Sequence, residues 1–409
     1  MRSAWCAAAV ALALLAPPPE PPPVRSQPPP GHRPGPAAGL LAPPRCTPWA
    51  AQPHDGPDPV AERLRLGAAH RLAKGKGQLI AVIDTGVAPH PQLGDRLRGG
   101  GDYIAGGDGL DDCDGHGTAV AGILAANGAG GDRVVGMAPA ARLLSIRHSS
   151  QEFTVAGPDG TAQRPGSAQT LADAVVLAVR EGATVINISE ALCLPAAQAG
   201  DLGDPLHAAL RHAVRSDVVV VAAAGNVDVG GCAAGSPDQV ALPGWYGSAL
   251  ITVGAVDPDD EPAPFTVPGA WVDVAAPGTG LRSLAVGGGT TTRNVTGTSF
   301  ATPWVAGLAA LIRERFPELD AAGVAERIVE TARRPPGGRD DRVGHGVIDP
   351  VAALTAVLPA TAAPTQLPVA RLDAGTPPQP APAQQPAELI AVAALVGAAT
   401  LAATRTRRR

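Results

Sequence analysis

The sequence predicts an α/β fold, a parallel sheet with helices on both faces. Short apolar runs rich in β-branched residues recur at Gln78–Asp84, Ala183–Ser189 and Val218–Ala224. Runs of that length without polar alternation mark strands buried on both faces. Segments of helical character separate them, which is the spacing of strand–helix–strand units. Each run ends in a turn at what would be its C-terminal edge, where sheets of this kind bind ligands.

In chain order, residues 1–16 read as a signal peptide. Arg2 supplies a positive start, and Ala7–Leu15 is an apolar stretch too short to span a membrane. Pro17 disfavours cleavage directly after Ala16, so the cleavage site stays open. Residues 17–45 are proline-rich without hydrophobic periodicity and read as extended or disordered. Residues 46–77 form an N-terminal extension, helical over Val60–Leu66.

Residues 78–358 hold one globular domain. Its first strand, Gln78–Asp84, turns at Thr85-Gly86-Val87. A small-residue helix, His116–Leu124, opens on a histidine. Ala141–Ile146 is a strand, and Arg147–Gln169 a polar loop. Leu171–Glu181 and Leu206–Arg215 are helices that alternate with the strands Ala183–Ser189 and Val218–Ala224. Leu250–Val256 and Val272–Ala275 are further strands. The apolar run Trp304–Ile312 continues a helix begun near Ser299, and Ala321–Ala332 is another helix.

Residues 359–386 form a Pro/Ala-rich linker. Leu389–Ala403 carries no charge and is followed by arginines, so residues 387–404 read as one transmembrane helix with snorkelling ends. The basic tail, 405–409, belongs in the cytoplasm and leaves the main domain outside. The formal net charge of −5 argues against an electrostatic nucleic-acid partner. If Cys6 leaves with the signal, Cys46, Cys113, Cys193 and Cys232 remain. An even number in an exported chain without a CxxC pair favours two disulfides over zinc, with three connectivities open.

The chemistry starts from Gly297-Thr298-Ser299-Phe300-Ala301-Thr302-Pro303, which places Ser299 at a helix mouth. There, unpaired N–H groups favour developing negative charge. Alone, such a serine is an ordinary cap. As a nucleophile it needs a base, a buried acid behind the base, and donors for an oxyanion. His116, Asp84 and the Asn226 side chain, with the Ser299 N–H, meet those needs. Each lies in a glycine-flanked turn. Four such residues in this order rarely coincide.

The constellation resembles the subtilisin-like serine proteases, over about Ala81 to Leu354. The resemblance implies Asp84 as orienting acid, His116 as general base and acid, Ser299 as nucleophile and Asn226 as oxyanion donor. It implies a peptide substrate extended beside Ile188-Ser189, with Ser189 as a contact. The small residues around Ala222–Gly225, Ala224 and Gly225 among them, and around Ala275–Gly278 read as lining the pocket for the residue before the scissile bond. Here that segment runs Ser189-Glu190-Ala191-Leu192, where the usual pattern has a glycine pair.

Cys113-Asp114-Gly115-His116, Ser145-Ile146-Arg147, Asn187-Ile188-Ser189-Glu190 with Cys193 after it, and Gly346–Leu354 resemble more narrowly the mycosins. These are membrane-anchored proteases associated with type VII secretion in actinobacteria. That resemblance implies an extracytoplasmic protease with its extension wrapped onto the catalytic domain. It implies the pairs Cys46–Cys113 and Cys193–Cys232. It also implies partners among the secretion-complex membrane proteins and a part there not confined to proteolysis. No cofactor or metal is expected: Asp108, Asp111, Asp112 and Asp114 lack EF-hand spacing and read as a solvated acidic turn. The Asn294-Val295-Thr296 sequon is discounted beside the nucleophile, and His345 reads as structural.

Overall fold

The computed structural model describes residues 58–358 apart from 130–133, 158, 234–235, 237 and 293–294, together with 20–21, 27, 29–41, 46, 49–52 and 56. The signal and transmembrane segments expected from the sequence lie outside the described residues. Among those described, no helix is long and apolar enough to cross a membrane.

Helices α1 (Pro59–Arg63) and α2 (Leu66–Ala69) lead into strand β1 (Leu79–Asp84). Then follow β2 (Leu97–Asp102), α3 (His116–Ala125), β3 (Arg142–Arg147), the hairpin β4–β5 (Val155–Ala156, Ala162–Gln163), α4 (Ala168–Arg180) and β6 (Val185–Ile188). Next come β7 (Leu192–Pro195), α5 (Ala196–Arg215), β8 (Val219–Ala223), β9 (Gln239–Leu242), β10 (Ile251–Val256) and β11 (Val274–Pro277). The hairpin β12–β13 (Ser283–Leu284, Thr290–Thr291) precedes α6 (Thr298–Arg315), α7 (Ala321–Glu330) and α8 (Pro350–Thr355).

Seven strands form one parallel sheet in the order β11-β10-β8-β6-β1-β3-β2. The chain fills one side of β1 with β3 and β2, then crosses to β6 and builds outward. β1 therefore borders the point where the winding reverses, the place where such sheets open a crevice. Side chains alternate across the sheet with the period of two that a strand imposes. Ile80, Val82, Val219, Val221 and Val253 pack with Ile123 of α3 and Trp304, Leu308 and Leu311 of α6. Ala81, Ile83, Ile186, Ile188 and Val220 pack with Leu171 and Val175 of α4 and Leu206 and Leu210 of α5. Every residue of α6 from Thr298 to Ile312 is buried, so a sequence apolar all round becomes the central helix.

The structure departs from the sequence reading in several places, the short strands β7, β9, β12 and β13 among them. α5 begins at Ala196, well before the predicted Leu206; Gly200, Gly203 and Pro205 hide its helical pattern. Gly203 is required by packing, since a Cβ there would lie 1.7 Å from the Tyr246 hydroxyl. β2, Leu-Arg-Gly-Gly-Gly-Asp, was not predicted and carries a register shift between Gly99 and Gly101. The polar loop Arg147–Gln169 contains a short hairpin, and Arg147 and His148 are buried. The extension's helix breaks in two at Arg65, which sits at φ 53°. Asp112 and Asp114 are buried while Asp108 and Asp111 are exposed, so the acidic segment is a solvated turn only in part.

The extension is fastened at several points. Cys46 is bonded to Cys113 and Cys193 to Cys232, the pairs the mycosin resemblance implies. The backbone N–H groups of Lys74, Gly75 and Lys76 all donate to Glu314 Oε2, at 2.6, 2.6 and 2.9 Å. Arg65 donates through Nη2 to both carboxylate oxygens of Asp349, the cap of α8, at 2.6 and 2.7 Å.

Candidate active site

β1 ends on Asp84, whose side chain is fully buried. α3 opens on His116, and its first turn lies directly on the turn after Asp84. At Gly117 a Cβ would stand 2.0 Å from Gly86 O and 3.1 Å from Asp84 Oδ1, so only glycine lets the two segments meet. His116 Nδ1 lies 2.7 Å from Asp84 Oδ1, and Nε2 lies 3.0 Å from Ser299 Oγ. The Phe300 ring covers His116 at 4.8 Å between centroids, and Trp49 of the extension packs on Phe300 at 6.3 Å.

A buried carboxylate that sequence reasoning missed holds this turn together. Asp112 Oδ1 accepts the Thr85 hydroxyl at 2.9 Å and the Gly115 N–H at 2.8 Å. Its Oδ2 accepts the Thr118 N–H at 2.8 Å and hydroxyl at 2.6 Å. The Thr85 hydroxyl also accepts the Gly117 N–H at 3.0 Å. One side chain thus ties the Asp84 turn to the start of the His116 helix. Burial raises the Asp112 carboxyl to about 6. The sequence carried a trace of this, an aspartate shortly before a helix whose first turn holds a threonine.

His116 titrates at about 9: burial pulls the imidazolium down, and the adjoining Asp84 carboxylate, its hydrogen bond, Asp112 and Glu190 more than offset this. Burial raises the Asp84 carboxyl, with His116 opposing. Glu190 belongs to a second pair, with Oε2 3.0 Å from His148 Nδ1 and Oε1 accepting the Ser149 hydroxyl at 2.5 Å. Burial acts against both charges, yet each partner holds the other ionised, raising His148 and lowering Glu190.

Asn226 follows β8. Its Oδ1 accepts the Thr298 N–H at 2.9 Å and hydroxyl at 3.1 Å, which fixes the amide and turns Nδ2 the other way. Gly297, at φ 148°, leaves a gap there: the position of its missing Cβ is 3.1 Å from Asn226 Nδ2 and 3.2 Å from Ser299 Oγ. A reacting carbon or oxygen fits where that methyl would be. Ser299, in the first turn of α6, has an N–H outside the intrahelical ladder. Pro303 cannot donate to the Ser299 carbonyl.

Ser189 is buried at the end of β6, with Oγ accepting from Asn187 Nδ2 at 2.9 Å. Ala224 and Gly225 follow β8, and the Gly225 N–H donates to Thr298 Oγ1 at 3.2 Å. Asp84, His116, Asn226, Ser189, Ala224, Gly225 and Ser299 thus gather along the C-terminal ends of β1, β6 and β8. Cys113 stands three residues before His116, and its bond to Cys46 brings the extension to that point. Cys193 and Cys232 clip the loop after Asn226 to β7, where the Cys193 N–H also donates to Gly230 O at 2.9 Å. His345 donates its N–H to Asp273 O at 2.7 Å, far along the chain from these residues.

A serine hydroxyl hydrogen-bonded to an imidazole, itself backed by a buried carboxylate on a parallel α/β sheet, defines a serine hydrolase of the subtilisin type. Residues 75–346 match the subtilase family. The chain is 44% identical over 361 residues to mycosin-4 of Mycobacterium tuberculosis, spanning 81% of this chain and 78% of that one. It is 39% identical to mycosin-3 of the same organism, spanning 94% and 92%. Among solved structures, the MycP3 protease from the type VII (ESX-3) secretion system superposes with a TM-score of 0.74 at 40% identity, over 83% of this chain and 100% of that one. A chain of an intact ESX-5 inner membrane complex gives a TM-score of 0.74 at 35% identity, over 95% and 99%. The chain belongs to the subtilase family of serine proteases, and within it to the mycosins.

Proposed function

We propose that this protein is a serine endopeptidase of a type VII secretion system, anchored by residues 387–404 with its catalytic domain extracytoplasmic. The observation that carries the catalytic assignment is His116, hydrogen-bonded on one side to Asp84 and on the other to Ser299.

Neutral His116 takes the Ser299 hydroxyl proton on Nε2 as Oγ bonds to the scissile carbonyl carbon. The carbonyl oxygen becomes an oxyanion and accepts from Asn226 Nδ2 and the Ser299 N–H. Asp84 keeps Nδ1 protonated and stabilises the imidazolium. The C–N bond then breaks, His116 gives its proton to the leaving amine, and an acyl-enzyme remains. Water attacks the ester while His116 takes one of its protons. That proton returns to Ser299 Oγ as the acid product leaves. Ser189, Ala224 and Gly225 contact the acyl side of the substrate. Phe300 packs at a tilt against the imidazole and helps hold its orientation.

A fluorophosphonate probe tests the assignment: it should label the purified protein, and Ser299→Ala should abolish both labelling and peptide cleavage. Retained cleavage by that variant would sink the triad. Membrane fractionation tests the anchor; soluble protein with an intact C-terminus would contradict it.

A second reading is favoured by the match of 95% of this chain to a chain of the assembled ESX-5 complex. Here the protein is a structural part of the secretion membrane complex, in contact with its membrane proteins, and proteolysis is secondary. Ser299→Ala in cells separates the two: secretion unchanged with cleavage lost supports the structural part, and secretion lost with cleavage supports the enzymatic one.

A further inference from the structure

Between the N-terminal extension and the segment that leads into Ser299 lies a cation that the steps above leave unused. Arg282, just before β12, is 5% exposed. Its Nη1 donates to Gly56 O at 3.3 Å, and Nε is buried with no partner. No carboxylate among the described residues lies within ion-pair distance of it, although an arginine this deep is ordinarily paired. The guanidinium lines a cavity of about 240 Å³ whose other walls include Asp58 of the extension, Val295 and Thr296. Asp58 spends Oδ1 on capping α1, accepting the Val60 and Ala61 N–H groups at 3.0 and 3.4 Å.

The cavity is assigned to the leaving-amine side from the proton path and from its neighbours in the chain. The leaving amine is protonated by His116 Nε2, so substrate residues after the scissile bond depart on the His116 side of Ser299. That side is bordered by the β12–β13 hairpin: the Ser283 hydroxyl donates to Ala119 O, in the first turn of α3, at 2.5 Å. Val295 and Thr296 stand four and three residues before Ser299. Ser189, Ala224 and Gly225, at the ends of β6 and β8, lie on the acyl side.

We propose that the Arg282 cavity is an anion subsite that receives an Asp or Glu side chain of the peptide substrate, a few residues after the scissile bond. The proposal rests on the Ser299–His116 assignment above. A guanidinium offers a fork of donors to a carboxylate, and the Thr296 hydroxyl at the rim adds another. The cavity has room for one such side chain, and Asp58 on its wall holds one oxygen on the α1 N–H groups and forms no ion pair with Arg282.

The test is cleavage of a degenerate peptide pool by the full-length protein, with cut sites read by mass spectrometry. The peptides carry amidated C-termini, so a terminal carboxylate cannot stand in for a side chain. Asp and Glu should be enriched over Asn and Gln about tenfold at one of the first few positions after the cut, the order expected for an ionised hydrogen bond in a buried site. Arg282→Gln should erase the enrichment, and Arg282→Lys should keep part of it. Fluorophosphonate labelling of Ser299 has no amine-side residues and reports folding independently of the subsite. A wild type that does not label sinks the nucleophile assignment. A labelled wild type with no acidic enrichment, or a labelled Arg282→Gln variant with it unchanged, overturns the subsite. Where Arg282→Gln fails to label, Arg282→Lys decides, and full wild-type enrichment there overturns the proposal.

Discussion

The Thr85 hydroxyl donates to Asp112 at 2.9 Å and accepts the Gly117 N–H at 3.0 Å, so the residue after Asp84 is joined directly to the residue after His116 by a hydroxyl that one buried carboxylate orients. Asp112→Asn keeps the shape but replaces an acceptor oxygen with a donor, leaving part of the network unmatched. The His116 helix loses its fixed distance from Asp84. The variant should lose about 10–100-fold in kcat with KM little changed, the scale of a sub-ångström to 1 Å misplacement. Removing a negative charge that raises His116 should also move the pH limb downward. An unmoved limb would show Asp112 to be merely structural.

The pH dependence of the wild type follows from His116 itself. The imidazole must be neutral to accept the Ser299 proton, so activity is present above its titration and lost as pH falls through it. With that titration at about 9, kcat/KM should still be climbing between pH 7 and 9. A limb near the ordinary histidine value of about 6.5 would mean that Asp84 does not stabilise the imidazolium as the geometry requires.

Asn226→Ala should lower kcat about 10²–10³-fold with KM nearly unchanged, because the lost donor acts on charge that exists only in the transition state. Steady-state kinetics on any cleaved peptide reads this. A rise in KM at constant kcat would instead assign Asn226 to ground-state binding.

Asp273 offers a stability test away from the cleft. It accepts the Thr252 N–H at 2.8 Å, and burial raises it to about 7 from an ordinary 3.8. A raised carboxyl means that the folded chain holds the proton more tightly than the unfolded one. Its contribution is therefore complete below 3.8, falls as pH rises through about 7, and stays lost above it. Thermal unfolding of the wild type should show that loss, and Asp273→Asn should flatten the curve across the same window. An identical pH slope in the two proteins would refute it.

Much of this was legible from residue order alone. The strands of the sheet's centre announced themselves because both faces are buried, and the glycine-flanked Asp84, His116, Asn226 and Ser299 because their chemistry needs neighbours of fixed type. β2 was invisible because Gly99, Gly100 and Gly101 carry no hydrophobic pattern, and the start of α5 because Gly200, Gly203 and Pro205 argue against a helix. Asp112 and Glu190 were missed for another reason. A buried charge is recognised by its partners, and Thr85, Thr118, His148 and Ser149 lie at distances in sequence that only folding brings together. The polar loop misled in the same way at its start, where buried Arg147 and His148 meet Asp102 and Glu190, while Glu152, Asp159 and Arg164 are exposed as expected.

The bond between Cys46 and Cys113 closes the chain into a ring with a sequence separation of 67, and Asp84 lies on that ring. A cut in the lead-in, by this enzyme or another, opens the ring without dividing the molecule. The nicked protein gains one water and keeps its apparent size on a gel until a thiol is added. Shedding the N-terminal extension therefore takes electrons as well as a protease.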